Sequence, residues 1–360
     1  MARAFRGIMG AYFDMRKMGK SMSLTYGIRN TKKQCILFAA AAFLTAAGIG
    51  GSTSYAASAP DTSSNAAAMQ VNAPEGNVKG AAVSDMEENY LNGAEIRMIE
   101  PVGTAQNMSF VLKTVDGHVI VVDGGREEDA DVLISEIQSL GGTVSLWLLT
   151  HPHDDHVGAL TEILNRNPIP VQIDQIAYRF LTNDDYEQGD NMGRMENYTS
   201  IASALDRVEQ SKKTIVGKGQ TIAVGDAVVH VLNDPYVCQV STFNNASIAY
   251  RIDMGGKRIL FLGDMGREGG NHLLNTCAGA ELKADIVQMA HHGNHGVGRN
   301  FYEAVRPEIC MWPTPTWLWN NEKDGVAGAG RFETPIVRRW MKELGAKRNI
   351  ISKDGTQSLK

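Results

Sequence analysis

The chain has 360 residues, 43% of them hydrophobic and 21% charged, with 35 basic against 40 acidic side chains and a formal net charge of −5. That composition excludes a wholly disordered or collagen-like chain, and the length suffices for one large core or two ordinary ones. The charge is uneven: Arg3, Arg6, Arg16, Lys17, Lys20, Arg29, Lys32 and Lys33 face Asp14 alone, so everything after Lys33 is distinctly acidic. An acidic body lacks the basic surface from which nucleic-acid binders draw most of their affinity, which disfavours nucleic acid as a partner.

Lys32 and Lys33 precede an uncharged run from Cys35 to Ile49, and small residues follow around Ala56 and Ala57. These are the basic n-region, apolar h-region and cleavage site of an export signal, with Met22 as a second possible start. The run of about 15 residues falls short of the roughly 20 that a spanning helix needs. Residues 1–57 are therefore expected to be removed and the protein to be secreted or held at the cell surface. Membrane attachment is expected only if the signal stays uncut. Cys238, Cys277 and Cys310 would remain, enough for at most one internal bridge. Residues 58–90, dominated up to Asp85 by Ala, Ser, Asn, Gly and Pro, predict a flexible linker, and residues 91–360 a folded domain.

Within that domain, apolar and β-branched runs predict strands at 109–114, 118–122 and 144–149, with a helix over 129–140. Further strands are predicted at 227–232, 247–252, 258–262 and 286–289, and helices at 197–210 and 336–344. The Asn, Asp and Gly content of Thr182–Arg194 predicts a surface loop near the site. The order fits an α/β fold of two sheets flanked by helices.

Directly after the strand ending at Leu149 comes Thr-His-Pro-His-Asp-Asp-His-Val-Gly, which packs His151, His153, Asp155 and His156 into six residues. In an extended or tightly turned segment His151 and His153 point the same way, while Asp155 and His156 turn toward a neighbouring point. That arrangement suits two divalent metal ions side by side, and imidazole with carboxylate is a ligand set for zinc, with manganese or iron as alternatives.

This pattern resembles the signature His-x-His-x-Asp-His of the metallo-β-lactamase superfamily, and the resemblance extends over roughly residues 95–355. It implies an αββα sandwich of two mixed β-sheets. It also implies that Asp264, in Phe261-Leu-Gly-Asp264, bridges two metals, and that the His291-His292 pair supplies the last ligand. His292 is favoured as that ligand, with His291 beside the substrate as proton donor or oxyanion contact. Asp123, in Val121-Val-Asp-Gly-Gly125, matches an aspartate that braces the metal loop. Many dinuclear members carry another histidine between the first motif and the bridging aspartate. Here only His230 lies there, inside a predicted strand, and it reads as a packed or edge residue. Asn244-Asn-Ala-Ser247 instead resembles the Asn-x-x-Ser element of the hydrolase domain of the competence protein ComEC and of secreted choline-phosphate esterases.

The resemblance implies a metallohydrolase in which a metal-bridging hydroxide attacks a phosphodiester, Asp155 accepts the nucleophile's hydrogen bond, and no Ser or Cys nucleophile is needed. The substrate expected is a small molecule or polymer, either choline-phosphate-bearing or nucleic acid. A β-lactam or lactone hydrolase and a non-catalytic wall- or ligand-binding module are the alternatives. Asn244, Ser247, His295 and Trp317 are candidate substrate contacts, and Asn294 could also reach the substrate. Trp312, Trp317 and Trp319 follow the last motif closely, and such faces can hold a quaternary ammonium or stack on a base, or can simply pack. His118 and His272 show no partner pattern.

Overall fold

The longer apolar runs lack strict alternation because the strands they form are covered on both faces. The computed structural model describes residues 89–189, 194–238 and 240–360; the expected export signal and nearly all of the expected linker lie outside them. The strands are β1 (Glu95–Met98), β2 (Ser109–Lys113), β3 (Val119–Asp123), β4 (Thr143–Val144), β5 (Leu146–Leu148), β6 (Gln172–Ile173), β7 (Ile176–Tyr178) and β8 (Lys213–Ile215). They continue as β9 (Thr221–Val224), β10 (Ala227–Val231), β11 (Tyr250–Met254), β12 (Lys257–Phe261), β13 (Ile286–Gln288), β14 (Ile309–Trp312), β15 (Arg348–Ile351) and β16 (Gln357–Leu359).

One sheet runs β16-β1-β2-β3-β5-β7-β8 and the other β15-β14-β13-β12-β11-β10-β9, while β4 and β6 form a small ribbon. Each large sheet joins an antiparallel half to a parallel one, with β3, β5, β7 and β8 parallel in the first and β12 to β15 parallel in the second. Ile120 and Val122 of β3 face the layer between the sheets, sharing a buried cluster with Phe110, Val229, Ile252 and Phe261. The next side chain along, Val121, faces the other way. It joins Leu133 and Ile137 of helix α1 (Ala130–Ser139) and Leu160 and Ile163 of α2 (Asp154–Asn165). On the far face of the second sheet, Leu260, Val287 and Cys310 pack with Leu273, Phe301 and Val337. The layers are therefore αββα, two mixed sheets flanked by helices. Each fully buried Leu or Ile in them contributes roughly 1.5–3 kcal/mol.

Two local expectations are corrected. The span Thr182–Arg194 is not all loop: Thr182 caps a helix, α3 (Asn183–Gln188), by accepting from Asp185 N while the Asp185 carboxylate accepts from Thr182 N, each at 3.2 Å. This capping box is written in the sequence but hidden by its polar composition. The strand expected from Ser247 starts at Tyr250, because a helical turn over Thr242–Asn245 consumes the approach and Ser247 N donates back to Asn244 O. The His-rich segment is extended as far as His153 and turns into helix α2 at Asp154. Asp154 and Asp155 lie in its first turn, where carboxylates complement the helix dipole. Cys238, Cys277 and Cys310 are all buried and unbridged. Among the described residues no helix is long and apolar enough to cross a membrane.

Candidate metal centre

Parallel strands place their outgoing loops on one edge, and five such ends converge here. β3 ends in Asp123, β5 leads to His151 and His153, β12 to Asp264, β13 to His291 and His292, and β14 to Pro313. Two donor groups result. Asp155, His156, Asp264 and His292 form one, and His151, His153 and Asp264 the other, with the ligand atoms of each group within 4.8 Å of one another. Asp264 belongs to both. Its Oδ1 lies 3.2 Å from His156 Nε2, and its Oδ2 lies 3.5 Å from His292 Nε2 and 3.9 Å from His151 Nε2.

Each ring is aimed by what its other nitrogen does. Asp123 accepts from Thr150 N (2.8 Å), Thr150 Oγ1 (2.7 Å) and His156 Nδ1 (2.7 Å), so His156 presents Nε2 to the cluster. With its proton spent on Asp123, the Thr150 hydroxyl accepts from His151 Nδ1 at 3.2 Å, which bares His151 Nε2 as well. His292 Nδ1 donates to Pro313 O at 2.8 Å, and His153 stacks on Phe243 with ring centroids 5.3 Å apart. His291 and His292 both adopt left-handed backbone, φ 51° and 54°, as does Asp123 at 57°. A Cβ on the following Gly293 would lie 2.5 Å from the Trp312 ring, so glycine is required there.

The outcome is a set of buried atoms without hydrogen-bond partners: Nε2 of His151, His153, His156 and His292, and Oδ1 of Asp264. A buried polar atom left unpaired costs about 1–3 kcal/mol, so this convergence needs positive charge at its centre, from protons or from metal ions. The donor set fits divalent metal ions and not a solvated loop.

Charge in the metal-free chain follows the same geometry. Burial opposes protonation of His156, but Asp264, Asp123 and Asp155 outweigh it and hold the ring well above the usual imidazole range. His292, likewise buried, is pushed up to about 9 by Asp264 and Asp155. Burial instead lowers His151, and takes His153 to about 4. Asp264 and Asp155 are held low despite burial, chiefly by His156 and His292. Protons on His156 and His292 thus occupy the place of metal charge. These pairings stabilise the metal-free fold fully below the ordinary imidazole range, and the His292 contribution is lost as pH rises through about 9. Loading a divalent cation at pH 7.5 should release about two protons, and affinity should rise steeply with pH until near 9. Titration calorimetry in buffers of differing ionisation enthalpy reads the count, and zero release would refute this charge assignment.

The other expected site residues divide. Asn244 and His291 line a cavity of about 340 Å³ together with His153, Asp155, Asp264 and His295. Asn244 Nδ2 donates to Ser241 Oγ at 3.1 Å and approaches His291 Nε2 at 3.4 Å, while its Oδ1 is buried without a partner. His291 is outside both donor groups, with Nε2 3.7 Å from Asp264, and burial lowers its pKa. Ser247, expected at the substrate, is fully buried instead. Its hydroxyl donates to Asn244 O at 2.7 Å and accepts from Asp264 N at 3.2 Å, so it braces the shared carboxylate.

Trp317 is not among the cavity-lining residues. Its indole donates to Thr104 O at 2.8 Å and packs on Phe332, while Trp312 is core and Trp319 packs against it. Asn294 is engaged through Oδ1 with Glu333 N. His230 sits on β10, 3.3 Å from Asp253, and belongs to neither donor group. Sequence reasoning missed Thr150, Phe243 and Pro313, which aim the ligand rings. It also assigned no role to Arg126 or Arg194, which lie in the cavity wall; the signals were an arginine after Gly124-Gly125 and the position of Arg194 at the end of the span expected near the site.

A family model described as the metallo-β-lactamase superfamily matches residues 102–308, more than half of the chain. The chain belongs to the metallo-β-lactamase superfamily. Of the curated proteins it resembles, ComE operon protein 3 of Bacillus subtilis (strain 168) is 24% identical over 165 residues, 46% of this chain and 19% of that protein. The probable metallo-hydrolase YflN of the same organism is 31% identical over 85 residues, 22% of this chain and 32% of that protein. The chain thus spans about a fifth and a third of the curated relatives it matches. Solved structures of similar fold include the metallo-β-lactamase fold protein YhfI from Bacillus subtilis, with TM-score 0.43 and 11% identity over 74% of this chain and 99% of that one. Unliganded yeast PDE1 gives TM-score 0.41 and 13% identity with the same two coverages.

Proposed function

We propose that the protein is an exported, zinc-loaded dinuclear hydrolase of phosphodiesters. The observation that carries this reading is the pair of donor groups sharing Asp264 at the base of a polar cavity. His156, His292, Asp155 and Asp264 would hold one divalent ion, and His151, His153 and Asp264 the other. A metal pair lowers the pKa of water enough to supply a nucleophile near neutral pH and offsets charge on a phosphoryl oxygen. With three protein donors, the second group leaves room for a phosphoryl oxygen on its cavity side. Asp155 faces the same cavity and is suited to accept a hydrogen bond from the attacking oxygen. His291, held against Asn244 in the cavity wall, is placed to donate a hydrogen bond or a proton to the leaving oxygen. The Asn-x-x-Ser element supports a phosphodiester over a lactam, through its resemblance to the ComEC hydrolase domain. Export rests on the N-terminal pattern of residues 1–57.

The test is metal content beside turnover of bis(4-nitrophenyl) phosphate, 4-nitrophenyl phosphocholine and nitrocefin. About two metals per chain with diester turnover as the fastest reaction is expected. Preference for nitrocefin, or metal without any hydrolysis, would overturn the reading.

A further inference from the structure

The cavity wall carries a charged device that the metal donors do not explain. Arg126 is fixed on three sides. Its Nε donates to Gln106 O at 2.9 Å, its Nη1 pairs with Asp154, and its backbone N donates to Asp129 Oδ2 at 2.9 Å. Its remaining terminal nitrogen, Nη2, lies 3.9 Å from Asp155 Oδ2, at the edge of the donor cluster. The loop that carries it is seated on helix α2 through Gly158. A Cβ there would come within 2.7 Å of Glu127 N and 2.9 Å of Arg126 C, and Ala159 N donates to Gly125 O at 3.0 Å. Arg194, at the start of the helix Met195–Asp206, approaches the other oxygen of Asp154 at 3.8 Å, and Asn197 Nδ2 donates to that oxygen at 3.2 Å. One carboxylate therefore faces two guanidinium groups, both lining the cavity, so it balances only one of their two positive charges.

We propose that Arg126 and Arg194 form an anion clamp that makes the site select a negatively charged phosphodiester over a neutral ester, with Asp154 as the positioning residue between them. A guanidinium fork matches paired phosphoryl oxygens, and Arg126 turns its Nη2 edge toward Asp155 and the donor cluster. This inference rests on the phosphodiester reading above.

The test uses the metal-loaded full chain and its Arg126→Gln, Arg194→Gln and double variants, plus Arg126→Lys. Three quantities are measured: kcat and KM for bis(4-nitrophenyl) phosphate, the same for its neutral methyl triester, and calorimetric affinity for inorganic phosphate. Each single Gln variant is expected to raise diester KM and weaken phosphate binding about tenfold, and the double variant about 100-fold. Triester kinetics should stay within about twofold, and Arg126→Lys should recover part of the loss. Parallel changes for diester and triester, or unchanged phosphate affinity, would overturn the clamp. If the parent hydrolyses no diester, the functional reading fails, while phosphate affinity across the same variants still decides the clamp.

Discussion

Asp264→Ala should abolish both metal sites in one step, because this carboxylate is the single donor common to the two groups. Bound metal is expected to fall from about two per chain to below one at micromolar free metal, and diester kcat/KM by at least about 10³-fold, equivalent to about 4 kcal/mol. Elemental analysis and kinetics check both. The variant should also destabilise the metal-free chain near pH 7, since Asp264 is the leading partner of the protonated His156 and His292. Asp264→Asn keeps the volume and one oxygen donor, so it should retain more metal than Ala. Two tightly held metals in the Ala variant would make Asp264 a bystander and refute the shared-ligand arrangement.

The second large effect is expected at a residue that touches no metal. Asp123 is fully buried and accepts three hydrogen bonds, from Thr150 N, Thr150 Oγ1 and His156 Nδ1. Burial raises its pKa, with His156 and Thr150 working against that, so its charge depends on those partners. Removing one partner of a buried charged network typically costs about 3–5 kcal/mol. Asp123→Ala should therefore lower Tm by many degrees and leave little folded protein at physiological temperature. Asp123→Asn is the informative variant. It can still accept from Thr150, but it cannot supply the charge that fixes the His156 ring. Metal affinity should weaken about 10- to 100-fold with a smaller loss of stability. An Asn variant that binds metal as tightly as the parent would show that Asp123 serves the fold alone.

The His-x-His-x-Asp-His segment was legible from sequence, because imidazoles and carboxylates crowded at a strand end have few uses other than metal binding, whereas Asp264 and the histidine pair were reached through the family resemblance. The strands of the central layers were legible for a related reason: runs such as Val119–Val122 are apolar at every position, as burial on both faces requires. Ser247 was misread because Asn-x-x-Ser shows residue types without direction, and only the turn at Thr242–Asn245 sends the serine inward beneath Asp264. Trp317 was open to either reading until the loop at Thr104 claimed its indole.

The sequence by itself determined the ligand chemistry and the layered α/β class, since both rest on residue type and short-range spacing. Tertiary structure alone decided that His292 and not His291 joins the donor group, because two left-handed residues and a carbonyl 21 positions downstream set the ring directions. It likewise decided that Arg126 and Arg194, 68 residues apart, share one carboxylate in the cavity wall. Such pairings depend on which loops the two sheets bring to a common edge, and no local pattern encodes that.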